Sequence, residues 1–254
     1  MSRYFTSDWH INSTNILKYA NRPYKSWQSA AISLIEQCNA VASKNDCVFH
    51  VGDLIMLSND RHDTIEDVLD ANAYTLKDIK QRITANFITV EGNHDDGHSF
   101  EADCKSMVLD LNQNYRNVYV SHFPSDHKYY HGPYCNCKAK PKVVLCGHVH
   151  VAWLLKYDAL KNVLNINVGT DVWNYKPVRD AEITEMLDYV FKHQDFKFSW
   201  QQTRKEFDGW KKNNDLHVAA LREQRKAEKR ARRGLTPEEC ERRKIEAMKK
   251  KGLI

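Results

Sequence analysis

Five strand-like runs in this chain each end in side chains that bind metals, and that repeated ending narrows the folds open to it. Tyr4-Phe-Thr-Ser leads into Asp8-Trp-His10, Val48-Phe-His-Val into Gly52-Asp53, and Phe87-Ile-Thr-Val into Glu-Gly92-Asn-His-Asp95. Val118-Tyr-Val-Ser leads into His122, and Val143-Val-Leu-Cys into Gly147-His-Val-His150. β-Branched and aromatic runs suit a pleated, half-buried strand. The C-terminal lip of such a strand is where an α/β protein places its binding groups. One ending of this kind says little. Five argue for a core built to deliver ligands to one place.

The 254 residues are enough for one substantial core with an appendage. Charge marks the boundary. From residue 201 onward there are 17 Lys/Arg against 9 Asp/Glu, a net of +8 within a total of +5, so residues 1–200 carry −3. The reading is a domain over 1–200 and a basic helical tail over 201–254. The tail is suited to contact with a polyanion, although its charges alternate with Glu and lack clustered aromatics. Two solvated helices are the plainer reading of the same stretch. The first residues enter a strand pattern at once, so no signal peptide is expected, and no run is long enough to span a bilayer. Seven scattered cysteines form no disulfide framework, so a reducing, cytoplasmic setting without membrane association is expected.

Along the chain, Trp27, Ala31, Leu34, Ile35, Cys38 and Ala42 recur at helical spacing after a capping Ser26. Thr64-Ile-Glu-Asp67 reads as a capping box for a helix running on through Tyr74 and Thr75, and Leu76–Ile83 as a short helix after it. Residues 100–111 read as weakly helical. Strands are expected at 142–146 and 163–168, with a hairpin partner at 152–156. Helices are expected at 216–233 and, after Thr236-Pro-Glu-Glu239, to about residue 251. Strand and helix alternate at first and strands then dominate. The fold class is therefore α/β, a four-layer α-β-β-α sandwich of two mixed sheets with a C-terminal basic helical extension.

The ligand types point to paired divalent cations. Asp8 and His10, like His148 and His150, are separated by one residue, so on an extended lip both members of a pair face the same way. Gly52 lets the backbone approach closely beside Asp53. Asn93 contributes a neutral amide oxygen that limits accumulated charge. Mixed carboxylate and imidazole sets suit Mn²⁺, with Fe, Zn²⁺ and Ni²⁺ as alternatives, better than an all-oxygen Mg²⁺ site. His50 lies inside its strand and reads as a core residue. His127, His131, Cys135 and Cys137 carry the donor types of a small zinc site, but Cys-x-Cys is tight, and a mobile aromatic substrate loop is the favoured reading.

The ordered set Asp8-x-His10, Gly52-Asp53, Gly92-Asn-His-Asp95, His122 and Gly147-His-Val-His150 resembles the calcineurin-like metallophosphoesterase superfamily, in particular its small bacterial and phage members. The likeness covers residues 1 to about 175 and includes Asn167-Val-Gly-Thr-Asp-Val-Trp-Asn-Tyr-Lys-Pro177. It implies that Asp8, His10 and His150 hold a first metal, that Asp53 bridges, and that Asn93, His122 and His148 complete the second. It implies further that His94 protonates the leaving oxygen with Asp95 orienting its ring, while a metal-bridging hydroxide attacks phosphorus. Asn12, Arg22 and Trp173 are candidate substrate contacts. Where relatives often carry phenylalanine-glycine, histidine and glycine, this chain has Ile11-Asn12, Ser13 and Val151, differences that bear on the cleft rather than on the ligands.

The expected activity is a metal-dependent phosphodiesterase acting on a nucleotide or nucleic-acid-like phosphoester. Phosphomonoester hydrolysis at the same site is the alternative within the class. A non-catalytic nucleic-acid-binding or scaffold protein acting through the basic tail is the alternative outside it.

Overall fold

The expected β-branched and aromatic runs form strands and are joined by three that were not expected, which makes ten among the described residues. The computed structural model describes residues 1–56, 73–95, 101–133 and 140–232. In chain order the strands are β1 (Arg3–Thr6), β2 (Cys47–Val51), β3 (Asn86–Val90), β4 (Ser106–Leu109), β5 (Val118–Ser121), β6 (Lys142–Cys146), β7 (Leu155–Asp158), β8 (Val163–Asn167), β9 (Val178–Arg179) and β10 (Trp200–Gln202). The described helices are α1 (Asn15–Tyr19), α2 (Trp27–Val41), α3 (Leu76–Arg82), α4 (Asp180–His193) and α5 (Arg204–Arg232).

Two mixed sheets result, with orders β3-β2-β1-β9 and β10-β7-β8-β6-β5-β4. In the first, β1, β2 and β3 run parallel and β9 is antiparallel to β1. In the second, β5, β6 and β8 run parallel, while β4, β7 and β10 pair antiparallel. Successive residues of a strand face opposite sides. Val48 and Phe87 accordingly join a buried cluster with Trp27, Ala31, Leu34, Ile35 and Cys38 of α2 and Ile79 of α3. Phe5 and Phe49, one position along from Tyr4 and Val48, stack on each other at 5.2 Å. The mixed two-sheet sandwich is the one expected.

Local chemistry explains the helix starts. Ser26 accepts a hydrogen bond from the Ser29 N–H while the Ser29 side chain accepts from the Ser26 N–H, which closes a capping box ahead of α2. Thr75 and Asp78 do the same for α3. Thr75 therefore begins a helix and does not continue the preceding one. The rest of that expected helix, through residue 72, lies outside the described residues.

Other expectations need correction. Residues 106–109 are strand, not helix, because Met107, Val108 and Leu109 pair antiparallel with β5; tertiary pairing overrides a weak local preference. β7 begins at Leu155, three residues beyond the expected start of the hairpin partner. Helix α4 was not anticipated, although Ile183, Met186, Leu187 and Val190 are its buried stripe at the spacing that marks one.

The chain divides into two compact units, Met1–Arg204 and Lys205–Ile254. In the second, helix begins at once as the continuation of α5, well before the expected Leu216; the expected final helix lies outside the described residues. No helix among the described residues is long and apolar enough to cross a membrane.

Candidate metal centre

Every expected ligand follows the C-terminal end of a strand that has a parallel neighbour. Asp8 and His10 follow β1, Asp53 follows β2, Asn93 and His94 follow β3, His122 follows β5, and His148 and His150 follow β6. Parallel strands carry their carboxyl ends to the same side, so the topology gathers residues more than 140 positions apart. The strands end through backbone in the left-handed region. Asp8, His10, Asn12, Asp53, His148 and His150 have φ of 60°, 49°, 74°, 57°, 73° and 46°. A non-glycine residue held there costs about 1–2 kcal/mol; such cost concentrates where side chains must be aimed.

Two glycines make the approach possible. Gly52 has φ 86°, and a Cβ there would lie 2.5 Å from His122 Nδ1. A Cβ on Gly92 would lie 2.2 Å from both the backbone N and Oδ1 of Asp53. Any side chain at Gly92 would push against the central carboxylate.

Three groups of donors converge, each with atoms mutually within 4.8 Å: Asp8, His10 and His150; His10, Asp53 and His94; and Asp53, His122 and His148. Asp53 belongs to two of them. Its Oδ2 stands 3.2 Å from His122 Nε2, 3.5 Å from His10 Nε2 and 3.9 Å from His94 Nε2, and its Oδ1 accepts the His94 N–H at 2.9 Å. The Asn93 Oδ1 lies 3.1 Å from His122 Nε2 and 3.0 Å from His148 Nδ1. The His148 N–H donates to Asp8 Oδ1 at 2.9 Å. His122 Nδ1 sits 3.0 Å from the Val51 carbonyl, which requires a proton on that nitrogen and turns Nε2 toward Asp53.

The electrostatics fit a cation. Burial would raise Asp53, but the charge and hydrogen bond of His122, with His10 and His94, hold its carboxyl well below the usual range. Burial opposes protonation of His122, and Asp53 overrides it, lifting the imidazole to about 9. Burial likewise drives His10 well below its usual value and His148 down to about 4. The most direct sign is His10 itself. It is 3% exposed, and neither ring nitrogen has a hydrogen-bond partner among the described residues. A buried polar atom without a partner costs about 1–3 kcal/mol. A divalent cation shared with the adjacent carboxylates would remove that cost. His50 also lacks hydrogen-bond partners among the described residues, but its ring packs against Trp9 and Phe87 inside the strand, and so it remains a core residue.

Four expected roles change. Asp95 is buried and accepts from four backbone donors: Asp53 N (2.7 Å) and Gly92 N (2.9 Å) on Oδ2, Leu54 N (2.9 Å) and Ile55 N (3.3 Å) on Oδ1. A carboxylate has about four acceptor sites, so Asp95 ties the β2 and β3 turns together and does not orient the His94 ring. Asn12 spends its amide on the backbone of Tyr74, donating at 2.9 Å and accepting at 2.8 Å. Arg22 is buried, pairs with Asp171 and donates to the carbonyls of Trp9 (2.8 Å) and Asp8, so its guanidinium is committed within the fold. Trp173 bonds the Asn167 carbonyl, carries the Arg204 guanidinium over its ring, and borders a different hollow lined by Tyr4, Lys176 and Pro177.

The cleft at the donors has a volume of about 530 Å³ and is lined by His10, Asp53, His94, His148 and His150 together with Ser13, Asn15, Ile16, Tyr19 and Met56. Asn15, Ile16 and Tyr19 lie on α1 just after the first motif, and Met56 follows Leu54-Ile55 in a turn that reads from the sequence as packed under the site. None of the four stands out there as a cleft residue, because a weakly periodic stretch does not show which of its side chains face the ligands. His127, of zinc-donor type but read in favour of an aromatic loop, stacks on Phe123 at 4.6 Å and meets the edge of His148 at 4.6 Å. Cys135 and Cys137 lie outside the described residues.

Comparison with known proteins agrees with the motifs. The calcineurin-like phosphoesterase superfamily domain matches residues 1–183. A similar chain is an uncharacterized protein of Methanocaldococcus jannaschii, 26% identical over 188 residues that cover 73% of this chain and 90% of the relative. Among solved structures, a protein of unknown function from Aquifex aeolicus is similar, with a TM-score of 0.48 and 20% identity, covering 73% of this chain and 98% of that one. A conserved uncharacterized protein of Streptococcus pneumoniae TIGR4, described as a predicted phosphoesterase, has a TM-score of 0.32 and 18% identity over 66% of this chain and 71% of that one. With the family domain covering residues 1–183, which include every convergent donor found among the described residues, the chain belongs to the calcineurin-like phosphoesterase superfamily.

Proposed function

We propose that this hydrolase is a phosphodiesterase that uses two divalent transition metals, Mn²⁺ first among them, on a nucleotide or nucleic-acid-like diester. The observation that carries the reading is the convergence of three donor groups on a shared Asp53. Asp8, His10 and His150 would hold one cation, Asn93, His122 and His148 the other, with Asp53 between them. Such cations, when bound, supply positive charge to phosphoryl oxygens and make water a competent nucleophile at neutral pH.

The chain's own residues support the rest. The His94 imidazole lines the cleft, about a quarter exposed, and is anchored through its backbone to Asp53. In this reading it gives a proton to the leaving oxygen as the P–O ester bond breaks. The preference for diesters rests on the charge of the cleft. No Lys or Arg is among its described lining residues, and Arg22 is committed to Asp171. A diester carries one negative charge, whereas a monoester carries nearly two at neutral pH and gains more from an extra cation. Ile16, Tyr19 and Met56 offer apolar surface to the ester substituents.

The test is hydrolysis of bis(p-nitrophenyl) phosphate with Mn²⁺, alongside p-nitrophenyl phosphate and a panel of cyclic nucleotides and nucleic acids. The diester should give the higher kcat/KM, and Asp53→Asn should lower turnover at least about 10³-fold, as loss of a central electrostatic group does. Turnover unaffected by Asp53→Asn refutes the site. Faster monoester turnover refutes the substrate class alone.

A further inference from the structure

A buried chain of charge stands behind the first donor group. His150 Nδ1 lies 3.0 Å from Asp171 Oδ2. Asp171 in turn takes both arms of Arg22, with Nε to Oδ1 at 2.7 Å and Nη2 to Oδ2 at 3.0 Å. The side chains of Arg22 and Asp171 are 0% and 1% exposed. Arg22 then reaches the carbonyls of Asp8 and Trp9, the two peptides that leave Asp8 in its left-handed conformation. One guanidinium therefore holds the backbone of one expected ligand and the partner of another.

The fold places these residues deliberately. β8 runs parallel to β6, so Asp171, in the turn Thr170–Val172 that follows β8, emerges on the same lip as His150. The Thr170 N–H donates to the Ser7 carbonyl at 3.0 Å, and Ser7 bridges Gly169, locking that turn to the end of β1. Arg22 follows α1, its N–H bonded to the Leu17 carbonyl at 2.8 Å. A buried ion pair adds little net stability against a well-packed apolar substitute. Its presence beside a metal-type histidine is better explained by what it orients.

We propose that Asp171 and Arg22 are positioning residues for the first metal, fixing the proton of His150 on Nδ1 and aiming Nε2 at Asp8 and His10. The proposal rests on the metal-centre reading above. A carboxylate bonded to the far nitrogen of a ligating histidine fixes its tautomer and raises its basicity, and losing it lowers metal affinity about 10–100-fold. Arg22 holds the Asp171 carboxylate in place through two hydrogen bonds, so its loss should act in the same direction.

The test is Mn²⁺ and Zn²⁺ titration of the full chain by calorimetry, comparing the parent with Asp171→Asn, Asp171→Ala and Arg22→Met. Expected are two binding events in the parent, of which one weakens about 10–100-fold in the Asp171 variants while the other holds. Because Arg22→Met leaves a buried carboxylate unpaired and could unfold the chain, a second measurement uses the parent alone. Long-range ¹⁵N–¹H spectra of the Zn²⁺-loaded protein should show His150 protonated on Nδ1. Two parent-like binding events in Asp171→Ala, or a proton on Nε2, overturn the positioning role and leave the metal centre standing. A parent that binds no divalent cation overturns both.

Discussion

Asp95 is worth more to the fold than its place beside His94 suggests. It gathers the N–H groups of Asp53, Leu54, Ile55 and Gly92 into one buried carboxylate. Asp95→Ala leaves those donors unpaired, and at about 1–3 kcal/mol for each buried orphan the loss should reach at least ~3 kcal/mol in urea unfolding. A residue that only steered the His94 ring would leave stability near that of the parent. His50 makes the opposite case, a buried group that harms the fold in acid. Burial presses it down to about 3 from an unfolded value of 6.5. A depressed base binds its proton more readily unfolded, so stability is intact above pH 6.5 and falls as the pH drops toward 3. At pH 5 that one group accounts for roughly 2 kcal/mol. His50→Phe, packed against Trp9 and Phe87, should flatten the acid limb by about that much in metal-free protein. Parallel pH profiles of parent and variant would refute it.

At the scale of elements, the strand lips were legible because their chemistry is local. Glycine beside aspartate, and paired ligands one residue apart, announce a site without reference to anything distant. Asn12 and Arg22 were misjudged because their partners are distant, Tyr74 at 62 positions and Asp171 at 149. A polar residue beside a motif has the same letter whether it meets substrate or a peptide group. Asp171 itself follows a sixth strand end, β8, and the rule that found the other ligands extends to it. Strand β4 was read as helix because its four residues hold little periodicity and its pairing with β5 is a tertiary fact. Capping is the part of element chemistry that sequence shows best. Ser26→Ala should cost about 1 kcal/mol in thermal or urea unfolding by removing the bond to the Ser29 N–H ahead of α2. Restoring the cap with Asp or Thr should recover it. No loss in Ser26→Ala would mean that apolar packing of Trp27, Leu34 and Cys38 alone fixes where the helix starts.

Across the whole molecule, charge and chemistry are divided. The unit ending at Arg204 holds all the convergent donors found among the described residues, and the basicity belongs to the residues after it. Residues 1–200 carry −3 while 201–254 carry +8, so a polyanionic substrate attracted to this protein would be attracted by its tail. We propose that the tail raises the local concentration of a nucleic-acid substrate without taking part in hydrolysis. Electrostatic binding of that kind weakens with salt, log K falling against log [salt] with a slope of about −0.9 per phosphate neutralised on a duplex and about −0.7 on a single strand. Charge reversal of Lys211, Lys212, Arg225 and Lys226 to Glu should flatten that slope for a fluorescent oligonucleotide between 50 and 200 mM salt. It should raise KM for nucleic acid and leave turnover of bis(p-nitrophenyl) phosphate unchanged, because a small monoanion gains little from exposed charge once screened. An unchanged slope removes the tail from substrate capture. A fall in small-diester turnover would show instead that the tail contributes to the site, and the division of labour drawn from the charge would have to be abandoned.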